Sequence, residues 1–217
     1  MKVIAINGSP RRKWNTAELL KNALKGAASQ GAETELIHLY DLNFKGCTSC
    51  FACKLVGGKS YGRCAMKDDL TEVLRKIETA DALILGSPIY FSDITGEMRS
   101  FLERLLFQYL VYDKEHSVLR EKKLPTAFFY TMNVSDEYIK KIGYEDNFRR
   151  MQQMLQRFFG SSEYLAAADT YQFDDYSKYI TTGLDEQTKA RKHQEEFPQD
   201  CRKAFDLGVK FAQQATA

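Results

Sequence analysis

The sequence predicts a doubly wound α/β domain, in which helices cover both faces of a five-stranded parallel sheet. Segments with strand character and segments with helical character alternate five times along the 217 residues. The strand segments are continuous apolar runs, as expected where both faces of a parallel sheet are buried. No repeat, low-complexity segment or break in composition divides the chain. We therefore expect one domain over residues 1–217, with a C-terminal aromatic segment and helix at 169–217.

The first strand–helix–strand unit is predicted from a short β-branched run and from the helical pattern that follows it. Val3–Ile6 is apolar and ends at a polar turn, which indicates a buried strand. Thr16 can cap a helix whose leucines and alanines recur at helical spacing as far as Gly31. Thr34–Tyr40 is predicted as the second strand.

An irregular stretch rich in glycine and cysteine, Asn43–Cys64, follows the second strand. Acidic residues suit a helix N-terminus, so Asp68-Asp69 is predicted to open the next helix. The third strand is Ala82–Leu85, and it is predicted to stop at Gly86-Ser87-Pro88. Thr95-Gly96-Glu97 then leads into a helix.

The same alternation continues through the C-terminal half. Thr126–Met132 is predicted as the fourth strand, Phe148–Phe159 as a helix and Ser162–Ala168 as the fifth strand. A helical region rich in Lys and Glu begins near Glu186. Cys201 lies on its apolar stripe and is interpreted as a small core residue.

Composition excludes several classes of protein. The 31 Lys and Arg residues nearly balance the 29 Asp and Glu residues and are scattered, which argues against a nucleic-acid surface. No apolar run approaches the ~20 residues of a membrane span. The apolar stretch at residues 3–6 is too short for a signal peptide. Five cysteines without a signal peptide suit free thiols or cluster ligands in the cytoplasm.

The loop that follows the first strand, residues 8–16, is suited to binding a phosphate. It places hydroxyl groups, backbone N–H groups and fixed cations at a helix N-terminus. It lacks the Gly-Lys-Ser/Thr ending of a Walker A loop, and one glycine is too few for the dinucleotide fingerprint. The alternative interpretation is an ordinary strand-to-helix turn with Thr16 as its cap.

Two motifs together resemble those of the flavodoxin-like NAD(P)H-dependent FMN reductases. Gly8-Ser9-Pro10-Arg11 with Asn15-Thr16 is similar to their phosphate-binding loop. Residues 86–91, with Gly96-Glu97-Met98 behind them, are similar to their flavin-ring loop. The element order matches over residues 1–168. The resemblance implies a flavodoxin-like sheet that binds FMN and uses NAD(P)H as co-substrate.

The resemblance also implies a role for individual residues. Four residues of the first loop would hold the FMN phosphate, and four after the third strand would line the isoalloxazine ring. A third flavin-side loop is expected near residue 133, where the sequence matches the family only loosely. Trp14 departs from the family, where glycine is frequent; it either covers a ring or forms a surface or subunit contact. The implied cofactor residues are Ser9, Arg11, Asn15, Thr16, Pro88, Ile89, Tyr90, Phe91 and Asn133. No catalytic side chain is required, because flavin N5 performs the chemistry.

Four cysteines form a C-x2-C-x2-C-x10-C pattern: Cys47, Cys50, Cys53 and Cys64. Three cysteines at two-residue gaps resemble the start of a four-iron (4Fe-4S) cluster site. The iron-sulfur flavoproteins contain such a motif after the second strand, with a shorter last gap. Flavin-only relatives have a similar stretch whose thiols line a loop. Cluster ligands, loop thiols, another metal site and a regulated disulfide therefore remain alternatives.

The segment 169–179 contains four aromatic residues beyond the fifth strand. It is predicted either to pack the last helix onto the sheet or to form part of a substrate pocket or subunit contact. The family frequently forms dimers, so the resemblance implies a homodimer. The three histidines, His38, His116 and His193, lie outside both motif loops and are interpreted as structural or exposed.

The main functional expectation is an oxidoreductase that passes electrons from NAD(P)H through FMN to a quinone, a flavin or a similar small acceptor. One alternative is an electron carrier of the iron-sulfur flavoprotein type, with a four-iron cluster on the four cysteines. The other is a flavin or thiol redox sensor without turnover. Neither a nucleic acid nor a membrane is expected as a partner.

Overall fold

The computed structural model describes residues 1–214 and contains the predicted parallel sheet at its centre. The strands are β1 (Lys2–Asn7), β2 (Glu33–His38), β3 (Ala82–Tyr90), β4 (Asp93–Ile94), β5 (Thr126–Thr131) and β6 (Ser162–Ala167). Five of them are parallel, in the order β2-β1-β3-β5-β6. Because the order reverses between β1 and β3, a crevice forms beyond the carboxyl ends of these two strands.

Helices cover both faces of the sheet. Their bounds are α1 (Asn15–Ser29), α2 (Leu70–Thr79), α3 (Gly96–Phe107), α4 (Asp136–Lys141), α5 (Tyr144–Phe159), α6 (Glu186–Glu195) and α7 (Phe197–Gln214). Side chains of α1 and α7 are buried together against one face, and those of α2, α3 and α5 against the other. Within residues 1–214, no helix is both long and apolar enough to cross a bilayer.

Two glycines let α1 and α7 pack with their backbones in contact. A Cβ atom at Gly26 would lie 2.0 Å from the carbonyl oxygen of Phe205, and one at Gly208 would lie 1.9 Å from that of Ala23. Any side chain at either position would push the helices apart. This close crossing fixes α7, and with it the chain that leads into it, against the N-terminal half of the sheet.

The structure corrects the sequence prediction at four places. The sheet has six strands in place of five, because β4 adds a two-residue antiparallel strand to β3. β3 continues through the predicted stop at Gly86-Ser87-Pro88, since β5 pairs with this stretch. Helix α4, with the sequence DEYIKK, lacks the apolar stripe that predicts a helix. The tail forms two helices.

Candidate functional site

A cleft of about 430 Å³ lies beyond the carboxyl ends of the strands. We call it the strand-end cleft. The loops that follow β1, β3 and β5 form three of its sides, and the segment from Thr170 to Leu184 forms the fourth. All nine residues implied to bind the cofactor line it: Ser9, Arg11, Asn15, Thr16, Pro88, Ile89, Tyr90, Phe91 and Asn133.

The first loop is held by a buried asparagine at the end of β1. The Asn7 side chain accepts a hydrogen bond from the Ser9 N–H (3.0 Å) and donates one to the Ser9 carbonyl (3.3 Å). Its amide nitrogen also lies 2.8 Å from Nδ1 of His38. Burial lowers the pKa of this histidine. The Ser9 hydroxyl in turn accepts from the Arg11 N–H at 3.1 Å. These bonds shape the loop before any ligand is bound.

Helix α1 begins two residues earlier than predicted, and Thr16 is not its cap. The N-cap position is Trp14, whose side chain makes no capping hydrogen bond. Thr16 is buried in the first turn, and its hydroxyl lies 2.7 Å from that of Thr131 on β5. The first-turn N–H groups therefore lack a side-chain cap, which leaves donors suited to an anion.

Two of the residues implied to hold the phosphate make contacts that the sequence does not reveal. Arg11 donates through Nη1 to the carbonyl of Gln172 (2.6 Å), and its guanidinium lies 5.0 Å from the Trp14 ring centre. Asn15 donates to the carbonyl of Tyr171 (2.8 Å). The loop after β1 is thus joined to the C-terminal segment.

The loop after β3 is tied to the first loop through Thr95. The Thr95 hydroxyl donates to the Gly8 carbonyl at 2.7 Å, and its N–H donates to the Ser87 hydroxyl at 3.0 Å. Between these anchors Phe91 and Ser92 have φ angles of 48° and 70°. Such left-handed backbone is uncommon for residues with a side chain. The turn leaves the Phe91 ring fully exposed at the mouth of the cleft.

The third loop places an unsatisfied acceptor in the cleft. Oδ1 of Asn133 is buried and has no hydrogen-bond partner. A buried unpaired polar atom costs about 1–3 kcal/mol, so it marks a place where a ligand donor stabilises the protein. Two backbone hydrogen bonds hold this loop: the Met132 N–H donates to the Ala167 carbonyl of β6 at 3.1 Å, and the Thr170 N–H donates to the Met132 carbonyl at 3.0 Å.

The C-terminal segment lines the cleft as well as packing on the last helices. The Trp14 indole N–H donates to the Tyr171 carbonyl at 3.0 Å, and the Tyr171 ring stacks on His193 with centroids 4.5 Å apart. A buried ion pair between Lys189 and Asp169, at 2.5 Å, anchors the start of the segment to α6. Four of its lining residues fall in the segment 169–179, for which a pocket is one of the predicted alternatives: Thr170, Tyr171, Gln172 and Phe173. The sequence did not predict the three beyond it: Ile180, Thr181 and Leu184.

The four cysteines of the spaced motif line one small cavity of about 10 Å³, which we call the cysteine pocket. Burial raises the pKa of Cys53, and the Lys54 ammonium offsets part of that rise. Arg104 is fully buried beside them; it donates through Nε to Sγ of Cys64 (3.3 Å) and forms an ion pair with Asp68 at 2.5 Å. Its Nη2 atom has no partner.

The cysteine pocket has the donor atoms of a cluster site but too little space for one. A volume of about 10 Å³ is at the lower limit for one water molecule, and a four-iron cubane contains eight heavy atoms. Among residues 1–214, no three His, Cys, Asp or Glu side chains form a group that could hold a metal ion. A cluster therefore does not fit this arrangement of the loop.

Comparison with known proteins gives matches in both sequence and fold. The family model described as NADPH-dependent FMN reductase matches residues 1–131. An iron-sulfur flavoprotein of Methanocaldococcus jannaschii is 41% identical over 48% of this chain and 51% of its own length. One from Archaeoglobus fulgidus is 37% identical over 49% and 46%. The matched region thus spans about half of the length of these curated relatives.

Solved structures confirm the flavodoxin-like fold. An NAD(P)H:quinone oxidoreductase from Methanothermobacter marburgensis superposes with a TM-score of 0.69 at 17% identity, over 96% of this chain and 98% of that one. An azoreductase from Bacillus anthracis gives 0.66 at 14% identity, over 97% and 99%. At these identities the similarity concerns the fold alone.

Proposed function

The chain belongs to the NADPH-dependent FMN reductase family, and we propose that it transfers electrons from NAD(P)H, through FMN in the strand-end cleft, to a small acceptor. The observation that supports this most is the convergence of all nine implied residues on one cleft at the sheet's switch point. We propose that residues 1–217 act as one FMN-binding domain.

The unpaired groups of the cleft fit the two ends of FMN. The uncapped start of α1 and the Arg11 guanidinium are donors for a phosphate dianion. The buried Oδ1 of Asn133 requires a donor, and an isoalloxazine ring has an N–H group. Arg11 must exchange its bond to the Gln172 carbonyl for one to the phosphate, or bind it through another nitrogen.

The protein would position the reactants and supply no acid or base. Bound FMN would supply the redox chemistry between the nicotinamide and the acceptor. No histidine is among the described residues that line the cleft, and His38 is held by Asn7. Pro88 and Ile89 would support the ring through the end of β3. The exposed Phe91 and Ile180 at the mouth offer apolar surface to a nicotinamide or an aromatic acceptor.

Quinones, free flavins and nitroaromatic compounds are the acceptors that we propose.

We also propose that the protein forms a homodimer. The exposed apolar residues beside the mouth, Tyr90, Phe91 and Ile180, support such a subunit contact, because large exposed apolar side chains favour association. All five cysteines are free thiols in the described structure, which suits a reducing cytoplasm.

Anaerobic absorption spectroscopy tests the proposal. FMN is added to the purified protein, excess FMN is removed, and NADPH or NADH is then titrated in. We expect two retained flavin bands that bleach on addition of one of the nucleotides. Failure to retain FMN refutes the site; retention without bleaching by either nucleotide refutes the reductase and favours the sensor.

A second candidate function is electron transfer through a four-iron cluster together with FMN. The observations that favour it are the four cysteines on one pocket, the unpaired Nη2 of Arg104, and the relatives named iron-sulfur flavoproteins. The small pocket volume opposes it. Iron and acid-labile sulfide are measured after anaerobic purification, with Cys53→Ser as the variant and Cys201→Ser as the control. Four irons per chain that only Cys53→Ser removes would establish the cluster that this function requires, and their absence would reject the function.

A further inference from the structure

A second cleft, of about 370 Å³, lies next to the strand-end cleft. Both clefts are lined by Trp14, Asn15, Tyr171 and Phe173, which form the wall between them. The other residues of the second cleft come from α1, α6, the start of α7 and the chain before α1 and α6, not from the ends of the strands. Its volume suits a ligand of two or three fused rings. The family match ends at residue 131, so it includes only the N-terminal part of this site.

Aromatic rings dominate the lining of this second cleft, which we call the aromatic cleft. Several of them are stacked on one another: Tyr171 on His193 at 4.5 Å, and His193 on Phe197 at 5.8 Å between centroids. Mutual stacking holds these rings in place, so a ligand meets ordered rings without a large loss of side-chain entropy. Among the described residues, six rings line it: Trp14, Tyr171, Phe173, Tyr176, His193 and Phe197.

The charged groups of the aromatic cleft are mainly acidic. Glu18, Asp174 and Glu186 line it, and among its described residues Lys13 is the one lysine or arginine. Within residues 1–214, neither Asp174 nor Glu186 forms an ion pair. Their negative charges are therefore available to a ligand that enters between the rings.

We propose that the aromatic cleft binds a flat aromatic cation, such as an N-alkylated nitrogen heterocycle. Ring faces attract a cation through their quadrupole, and unpaired carboxylates beside them add to this attraction. A flat ring system also stacks on aromatic side chains such as those that line this cleft. An anion of the same shape would meet the two unpaired carboxylates and be repelled.

Isothermal titration calorimetry with two bicyclic probes tests the charge preference. The full chain, with and without added FMN, is titrated with 1-methylquinolinium, a cation, and with 2-naphthoate, an anion of similar size. We expect the cation to bind at least tenfold more tightly than the anion, and FMN to leave this affinity unchanged. Equal binding of both probes, or absence of binding, refutes the proposal. Competition by FMN would place the cation in the strand-end cleft and refutes it too.

Matched variants locate the site. Glu186→Gln removes a carboxylate at the start of α6, whereas Glu137→Gln removes one from the first turn of α4, where it lines neither cleft. We expect about a threefold weaker affinity for 1-methylquinolinium in Glu186→Gln, about tenfold in Asp174→Asn/Glu186→Gln, and no change in Glu137→Gln. Phe197→Leu keeps the apolar volume but loses the ring, and a decrease of about threefold is expected.

The variants also separate this proposal from the FMN site. If Glu186→Gln and Phe197→Leu bind the cation as well as the unchanged protein does, the aromatic cleft is not the site. Because the cation titration is performed without FMN as well, a failure of FMN binding leaves it interpretable. Trp14 is the only tryptophan of the chain and lies in the shared wall, so its fluorescence reports a ligand in either cleft, and the variants assign the signal to one of them.

Discussion

The strand-end cleft and the cysteine pocket are both built by loops that follow parallel strands, yet they differ in space by more than an order of magnitude. The cleft encloses about 430 Å³ and the pocket about 10 Å³. Each contains an unpaired buried atom: Oδ1 of Asn133 in the cleft and Nη2 of Arg104 in the pocket. The residue with the unpaired atom lines room for a ligand in the cleft, and room for about one water molecule in the pocket.

The contrast has a structural origin. Loops at the switch point diverge because β1 and β3 lead to opposite sides of the sheet, and the space between them stays open. The cysteine loop instead folds over α3, where Arg104 fills its centre and pairs with Asp68. One region is therefore prepared for a ligand by the topology, whereas the other is closed by a buried charge.

Removing that buried charge tests the contrast most strongly. Arg104→Met leaves the Asp68 carboxylate without its partner and Sγ of Cys64 without its donor. Breaking a buried ion pair costs about 3–5 kcal/mol, so we expect a loss of about 3 kcal/mol or more in the free energy of unfolding. Urea denaturation measures it.

Arg75→Met is the matched control for Arg104→Met. Arg75 forms an exposed pair with Glu72 on α2, and its loss is expected to change stability by less than about 0.5 kcal/mol. FMN affinity should be unaffected in both variants, because neither residue lines the strand-end cleft. Equal stability of the two variants would mean that Arg104 does not hold the cysteine loop.

The phosphate end of the cleft provides the next largest effect. Arg11→Ala removes a charge-assisted donor, and we expect a loss of about 1.5–3 kcal/mol of FMN binding free energy, or ~10–150-fold in Kd. Fluorescence titration of FMN measures it. Arg12→Ala is the control, since Arg12 is exposed and paired with Asp41; a change of less than twofold is expected there. Unchanged affinity in Arg11→Ala would remove this residue from the site.

The sequence predicts the central sheet because its strands are apolar runs whose character is local. Val3–Ile6 and Ala82–Leu85 are recognisable without any tertiary information. β4 and α4 are not recognisable in this way. β4 has only two residues and α4 is a short, mainly polar helix, so neither gives a periodic signal. Phe148–Phe159 is found because its apolar side recurs at helical spacing, but the helix begins at Tyr144, before that pattern.

The site is predictable only as far as local motifs determine it. The loop motifs predict that Ser9 and Pro88 lie near each other, because both follow strands that end at the same edge. Thr16 fails as a cap because its hydroxyl contacts Thr131, 115 residues away in the chain. The fourth side of the cleft depends on the ion pair between Lys189 and Asp169, which the sequence does not indicate.

The smallest expected effect is a difference in thiol reactivity within the cysteine pocket. Cys53 is buried and has a raised pKa, whereas Cys50 is exposed. Only the thiolate reacts with iodoacetamide. We therefore expect Cys53 to be alkylated at least several-fold more slowly than Cys50 at pH 8, as measured by mass spectrometry of peptides over time. Its rate should still be rising with pH above the ordinary thiol pKa of about 8.5.

The same pKa shift fixes the sign of a pH effect on stability. Because the folded pKa of Cys53 lies above its unfolded value, the folded state binds this proton more tightly. Its contribution to the free energy of unfolding is complete below about pH 8.5 and is lost as the pH rises through the folded pKa. Cys53→Ala should show a smaller alkaline decrease, to which the half-buried Cys201, with its pKa raised to about 11, still contributes, whereas Cys50→Ala should retain the decrease in full. Alkylation of Cys53 as fast as that of Cys50 would mean that the pocket is open, and would restore the room that a cluster requires.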